Sequence, residues 1–163
     1  MLKISTKHST TLSIAISVVF LIGCVVCIFL IPSYSRVLMN LYDQILSESS
    51  RAPLIADDVL RSGLVIALGY SIVAVCVLAD LLLFRLLLLV RQEKVFTEKS
   101  VALIRGVSWC CFLLGAVFCG FGLMFRIAFI LAFVAGFLGL CLRVVKNVIE
   151  EATEIKSEND LTV

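Results

Sequence analysis

Long apolar runs constrain this chain more than any other feature of its sequence. Residues 12–31 contain nothing more polar than Ser13 and Ser17, and residues 64–90 carry only two charged side chains. A third run, residues 107–142, contains a single arginine. A bilayer core about 30 Å thick is crossed by roughly 20 apolar residues of helix, which rise about 1.5 Å each. The first two runs therefore predict one membrane span each, and the third predicts two.

The continuity of these runs favours helices over strands. A membrane β-barrel shows weaker, alternating apolar segments of about ten residues, and a helix satisfies its own backbone groups, as lipid requires. We predict an all-α integral membrane protein with a single domain and four transmembrane helices, arranged as two antiparallel hairpins. The predicted spans are residues 12–31, 64–90, 107–125 and 127–145.

The distribution of lysine and arginine predicts the orientation of these spans. Ten of the 14 basic residues flank the same ends of the spans, at the N-terminus, around the second connection and after the fourth span. Because positive charge favours the cytoplasmic side, we expect both termini in the cytoplasm. Residues 32–62 would then be an outer loop, residues 91–105 a cytoplasmic connection and residues 146–163 a cytoplasmic tail.

All seven cysteines fall inside the predicted spans. This placement argues against a disulfide framework, and we interpret the cysteines as small apolar residues packed between helices. Cys24 and Cys27 have redox or metal spacing but lack histidine or acidic neighbours. Residues 21–24 also resemble a bacterial lipoprotein cleavage box, so lipidation of Cys24 is an alternative. The apolar run continues to residue 31, which favours an uncleaved anchor.

Small residues at four-residue spacing predict where the last two spans pack. The two stripes are Ala128, Ala132 and Gly136 on the fourth span, and Cys111, Gly115 and Cys119 on the third. Lipid gives helices no hydrophobic drive to associate, so close approach at small residues favours packing along these stripes. The alternative is that small residues are simply common in membrane helices.

Asp80 is the only acid inside the predicted spans. An insertion cost of about 2.5–3.5 kcal/mol near a helix centre makes such a residue a functional candidate by default. Arg85 lies five residues on, off the same helical face, and is expected to reach the cytoplasmic surface. Asp80 then needs another partner, such as Arg143, a hydroxyl group or water. We favour a structural role over ion transport, which usually needs several ionisable groups.

The two predicted cytoplasmic segments carry opposite charge. Residues 91–105 hold four bases and two acids, whereas residues 143–163 hold five acids and three bases. Thr97 is expected to cap the third helix, with Phe96 stapled across the cap. The tail is expected to continue the fourth helix beside the connection. Its amphipathic apolar stripe, expected to face inward, is Val144, Val145, Val148, Ile149, Ala152 and Ile155.

The tail IKSENDLTV (155–163) and the connection VFTEKSV (95–101) resemble those of a bacterial family of small multi-pass membrane proteins, the domain of unknown function 2975. Lys146-Asn147 and Ile31-Pro32 also fit, and the resemblance covers nearly the whole chain. It implies a bacterial cell membrane. Members are often encoded beside a small helix-turn-helix regulator, which implies a cytoplasmic partner of that class.

These features suggest two functions: an interaction protein, or a small transporter or channel subunit. The first is an interaction protein whose cytoplasmic face binds, and modulates, a helix-turn-helix transcriptional regulator. An acidic helix complements the basic surface with which such a regulator binds DNA. The expected contact residues are Glu150, Glu151, Glu154, Glu158, Asn159, Asp160, Leu161, Thr162 and Val163. The alternatives are that the tail only covers the protein's own connection, or that Asp80 serves a small transporter or channel subunit.

Catalysis is not expected. His8 is the only histidine, so histidine-assisted chemistry and a histidine-containing metal site lack their residues. The spans contain no Ser-Lys or paired-carboxylate arrangement, and no Gly-rich loop joins a strand to a helix to hold phosphate. We therefore predict no enzyme, no cofactor, no metal and no direct nucleic-acid binding.

Overall fold

The computed structural model is a set of four α-helices. They are α1 (Lys3–Ser49), α2 (Asp58–Arg91), α3 (Glu98–Gly122) and α4 (Ala128–Leu161). The structure describes residues 3–49, 57–92 and 97–161, with side chains except those of 3–9, 46–49, 157 and 159–161. Each helix contains a stretch long and apolar enough to cross a membrane. The prediction of an all-α protein with four such helices is confirmed for the described residues.

Consecutive helices pack against each other. Among the described residues, helix-to-helix contacts join α1 to α2, α2 to α3 and α3 to α4, and no other pair. The Ser17 hydroxyl meets Asp80 between α1 and α2. At Gly106, an added Cβ would lie 2.9 Å from Leu82 between α2 and α3. The helices therefore form a row in chain order, with α1 and α4 each contacting one neighbour.

The outward-facing side chains are mostly apolar. Large hydrophobic residues are strongly exposed on every helix, and Phe29, Val59 and Phe133 exceed 70% exposure. A protein in water would expose this much apolar surface only at a large free-energy cost. Lipid removes that cost, since acyl chains are as apolar as leucine. Bilayer contact is therefore the environment that this fold requires.

The segment predicted as an outer loop is partly helical. Residues 32–49 continue α1 beyond Pro32. The reason is a stripe of buried or half-buried residues at helical spacing, namely Ile31, Ser35, Leu38 and Tyr42. Proline removes one backbone donor from a helix. Here the Ser35 hydroxyl donates to the carbonyl oxygen of Pro32 at 2.9 Å. Residues 50–56 of the predicted loop lie outside the described part of the chain.

Side-chain caps begin α2 and α3. Asp57 accepts hydrogen bonds from the backbone N–H groups of Val59 at 2.9 Å and Leu60 at 3.4 Å. Thr97 accepts from the N–H of Ser100 at 3.4 Å, which confirms the predicted cap of α3. These bonds satisfy donors that a helix N-terminus leaves unpaired. Phe96, the expected staple, lies outside the described residues.

A glycine permits the reversal between α3 and α4. α3 ends at Gly122 and α4 begins at Ala128. A Cβ placed on Gly122 would lie 2.9 Å from three atoms of the Phe129 ring. Only a residue without a Cβ lets that ring pack against the end of α3, and this contact brings the start of α4 alongside.

Candidate functional site

In the C-terminal half of α4, several polar side chains face α3 and part of the apolar stripe faces outward. Val144, Val145, Val148 and Ile155 are exposed. Ile149 and Ala152 are half-buried, as are Lys146, Glu150 and Thr153, which face the start of α3. The prediction of an inward apolar stripe is therefore wrong for the four exposed residues. The reason is electrostatic, because α3 presents Arg105 to this part of α4 and the helix turns its carboxylate toward it.

Glu150 joins the two helices. Arg105 Nη2 donates to Glu150 Oε1 at 3.2 Å, and Lys146 Nζ donates to the other carboxylate oxygen, Oε2. The hydrogen bond from Lys146, helped by the charges of Lys146 and Arg105, holds the pKa of Glu150 below its usual range. Both Arg105 and Glu150 are well exposed, so water screens this cluster. It orients α4 against α3 without being essential to the fold.

A groove of about 390 Å³ separates the start of α3 from this part of α4. Its lining residues are Glu98, Val101, Ala102, Arg105, Glu150, Thr153 and Glu154. Three carboxylates face one guanidinium there, so the groove carries a net negative charge.

The residues predicted to contact a partner lie on both sides of this helix. Glu150 faces α3, whereas Glu151, Glu154 and Glu158 are exposed. The backbone of Asn159, Asp160 and Leu161 belongs to α4, but their side chains are outside the description. Thr162 and Val163 lie outside the described residues. We call Val148, Glu151, Glu154, Ile155 and Glu158 the exposed tail face, since all five are exposed and share one side of the helix.

Asp80 is buried between α1 and α2. It is 6% exposed, and the Ser17 hydroxyl donates to its Oδ1 at 2.9 Å. The second carboxyl oxygen, Oδ2, is buried and has no hydrogen-bond partner among the described residues. Asp80 was expected to pair with Arg143, a hydroxyl group or water, and the structure shows a hydroxyl group. Arg143 belongs to α4, which does not contact α2, and Arg85 is exposed.

A mostly apolar groove of about 400 Å³ reaches Asp80. Ser13 and Ser17 line its α1 side, and leucines of α2 line the other. The groove contributes three polar side chains in all. It therefore offers few groups that could replace the hydration shell of an ion.

Arg61 is buried, although its position in the sequence placed it in the predicted outer loop. The side chain of Arg61 is 5% exposed, and its Nη2 lies 2.9 Å from Asp43 and 2.7 Å from Asp58. Its guanidinium stands 5.1 Å from the ring centroid of Tyr42, whose ring meets Phe125 edge-on at 5.6 Å. This outer cluster joins α1, α2 and the α3–α4 turn. The Asp58–Arg61 spacing was the only local signal for it.

Small residues bring α3 and α4 close together. A Cβ on Gly115 would lie 3.3 Å from the carbonyl oxygen of Ala132 and 3.6 Å from the backbone nitrogen of Gly136. Ala128 and Ala132 are buried, whereas Cys119 is exposed. A Cβ on Gly136 would meet nothing within 4 Å. The contact is therefore centred on Gly115.

The cysteines are free and dispersed. Cys24 and Cys110 are buried, and Cys27, Cys119 and Cys141 are exposed. Within the described residues, no group of three or more histidine, cysteine or acidic side chains could hold a metal ion.

Residues 5–163 match a family described as Protein of unknown function (DUF2975). No curated protein and no solved structure matches the chain. The match covers nearly all of the sequence, so it applies to the four helices and to the C-terminal half of α4 together.

Proposed function

This chain belongs to the DUF2975 family of proteins of unknown function, and we propose that it is a non-catalytic membrane protein that binds a cytoplasmic partner through the exposed tail face. The partner we propose is a helix-turn-helix transcriptional regulator, as the family resemblance implies. The observation that carries the proposal is the exposure of both apolar and acidic side chains on a part of α4 that lies beyond its apolar run.

The length of α4 supports a projection into the cytoplasm. Twenty residues from Ala128 to Asn147 rise about 30 Å, which matches the bilayer core. α4 continues to Leu161, so its last turns stand outside the membrane core. The lysine and arginine distribution supports a cytoplasmic position for these turns and for both termini, and the family resemblance implies a bacterial cell membrane.

The chemistry of the exposed tail face fits a basic protein surface. Glu151, Glu154 and Glu158 supply negative charge, while Val148 and Ile155 supply apolar contact area. Complementary charge steers encounter and selects partners, and burial of apolar side chains adds to the affinity. A DNA-binding surface held by this helix would be unavailable to DNA, so binding would restrain the regulator.

Affinity capture of the tagged full-length protein from native membranes tests this proposal. A helix-turn-helix protein should be recovered with the native chain and lost with Glu151→Lys, because a repulsive charge then faces the partner's basic surface. Asn40→Lys is the matched control, since it adds positive charge on an exposed position of α1 and should leave recovery unchanged. Recovery of the regulator with Glu151→Lys at the level seen with Asn40→Lys would contradict the proposal.

A truncated chain lacking residues 157–163 separates two parts of the tail. Loss of the regulator with this chain alone would assign binding to the terminal residues. If the truncated chain still captures the regulator and Glu151→Lys does not, binding belongs to the part of α4 before residue 157. A chain that captures no helix-turn-helix protein in any form would remove the partner from the mechanism.

The second candidate is a small transporter or channel subunit that uses Asp80. The observation in its favour is that Oδ2, which has no hydrogen-bond partner among the described residues, lies beside the groove. Asp80→Asn should then abolish a flux across reconstituted vesicles without lowering the amount of protein in the membrane. A lower amount of protein, with no flux in the native chain, would assign Asp80 to the α1–α2 contact.

A further inference from the structure

Three basic side chains converge between α3 and α4 around a small pocket. It has a volume of about 200 Å³ and is lined by Arg105, Ser108, Trp109, Arg143 and Lys146. The α3 residues are spaced by three and four positions, and the α4 residues by three, so one face of each helix contributes. The pocket shares no residue with the exposed tail face.

Next to the pocket, side chains of α3 pack closely on the backbone of α4 at Gly139. The Ser108 hydroxyl donates to the carbonyl oxygen of Gly139 at 2.8 Å. A Cβ on Gly139 would lie 3.2 Å from the ring of Phe112 and 3.3 Å from Cys111. The helices therefore touch beside the pocket, whose lining includes the long basic side chains.

The charge of the pocket is incompletely balanced. Arg105 and Lys146 share a single carboxylate, that of Glu150. The Arg143 guanidinium stands 5.7 Å from the ring centroid of Trp109, and within the described chain it has no carboxylate partner. Lys146 is held in place, with 14% of its side chain exposed. Three cations line the pocket, and Glu150 is their one ion-pair partner among the described residues, while Glu98 and Glu154 line the adjoining groove. An anion bound beside Arg143 would reduce the positive charge that remains.

The position of the pocket points to lipid. Arg105 and Arg143 bracket the apolar run of residues 107–142, so they stand where the bilayer core ends. Lys146 lies about 27 Å along α4 from Ala128, close to the thickness of that core. Trp109 is 54% exposed, and its ring meets Phe112 edge-on with the ring centroids 6.2 Å apart. The two rings form an apolar surface that runs from the pocket toward the membrane core.

We propose that this pocket binds the phosphate of an anionic phospholipid. Arg105, Arg143 and Lys146 contact the phosphate oxygens, and the first acyl-chain carbons lie on Trp109 and Phe112. Basic pockets between transmembrane helices at the cytoplasmic surface are suited to anionic head groups. The site requires only that the chain spans a bilayer. Its failure in the test below would leave the proposed protein partner unaffected.

Native mass spectrometry of the full-length protein tests the site. Phosphatidylglycerol and phosphatidylcholine are each added to protein in neutral detergent. We expect one phosphatidylglycerol to be retained per chain, with weaker retention of phosphatidylcholine. Arg143→Gln should weaken phosphatidylglycerol binding about fivefold, the effect of removing one cation near the membrane surface. Arg143→Lys should retain most of the binding.

Arg85→Gln is the matched control, since it removes an exposed cation from α2 outside the pocket. An equal loss with Arg85→Gln, or equal retention of the two lipids by the native chain, would overturn the proposal. Inorganic phosphate is the competing probe. Displacement of the lipid by phosphate at comparable concentration would show a site for free phosphate instead. Lys146→Gln supplies a second variant if Arg143→Gln does not fold.

Discussion

The α1–α2 pair and the α3–α4 pair are held together by different kinds of contact. Between α1 and α2, Asp80 is buried with the Ser17 hydroxyl, and the buried Arg61 pairs with the exposed Asp43 carboxylate. Between α3 and α4, the backbones approach closely at Gly115, and the ion pairs of Glu150 stay at the surface. The first pair is therefore specified by polar matching and the second by shape.

Burial explains why the two sets of charges behave differently. A buried charge that loses its partner keeps the desolvation penalty without the compensating attraction. An exposed ion pair that is broken is rehydrated at little net cost. The charged groups between α1 and α2 are therefore needed to stabilise the fold. Those between α3 and α4 can exchange their partners for a ligand at little cost.

The largest effect is expected from isolating Arg61. Replacing both partners, Asp43→Asn with Asp58→Asn, leaves a guanidinium buried without an anion. We expect the free energy of unfolding to fall by about 3 kcal/mol, the lower end of the range for a broken buried pair, because both carboxylates are exposed. An SDS unfolding titration followed by circular dichroism measures this.

Arg61→Met is the control for that experiment, since it removes the buried charge and keeps most of the side-chain volume. Its loss of stability should be smaller than that of the double variant. A larger loss would show that packing on Tyr42, and not pairing, holds the outer cluster together.

Gly115→Val should separate α3 from α4. The new side chain would collide with the carbonyl oxygen of Ala132, which belongs to the backbone and cannot rotate away. We expect a loss of about 2 kcal/mol, typical of an overpacked contact. Gly136→Ala is the control, because its Cβ meets nothing within 4 Å, and its stability should be unchanged. Similar losses in both variants would argue against a contact centred on Gly115.

Ser17→Ala should weaken the α1–α2 pair by a smaller amount. It removes the hydroxyl that donates to Asp80 and leaves the buried carboxyl group without a described partner. We expect a loss of about 1 kcal/mol. Ser17→Thr retains a hydroxyl and should restore most of it. A Ser17→Ala protein as stable as the native chain would show that water reaches Asp80 through the groove.

The smallest effect is expected at Glu150, and it should depend on pH. Because Lys146 and Arg105 lower its pKa below the ordinary 4.5, Glu150 stabilises the fold fully above that value, and the contribution is lost as the pH falls through the lowered pKa. The difference in unfolding midpoint between the native chain and Glu150→Gln should therefore be small at pH 7 and vanish in acid. A difference that grows in acid would contradict this assignment.

Much of the fold could be predicted because the membrane imposes a length on each apolar run. Residues 12–31 and 64–90 reach that length alone, and a hydrogen-bonding residue before an acid, Thr97-Glu98, marks the start of α3. The sequence also indicated Asp80 as a candidate, because a charge inside an apolar run is costly wherever it packs.

The remaining features depend on contacts that are distant in sequence or on the solvent. The pairing of Asp43 with Arg61 spans 18 positions, so nothing local indicates it. Residues 32–49 carry polar groups and a proline that suggested a loop, although Tyr42 and Ser35 continue the buried stripe. The stripe with Val148 and Ile155 was expected to face inward, as in water. The ion pair of Glu150 with Arg105, which is 45 positions away in sequence, turns the polar side of α4 toward α3 instead.

α4 continues as one helix from its apolar run to Leu161. After Gly139 the sequence contains neither glycine nor proline, so α4 has no internal hinge from there to Leu161. A transmembrane helix adjusts its tilt when the hydrocarbon thickness around it changes. Any tilt of the membrane-embedded part of α4 therefore swings its far end through a larger arc. A change in bilayer thickness that tilted α4 would thus also displace its C-terminal end.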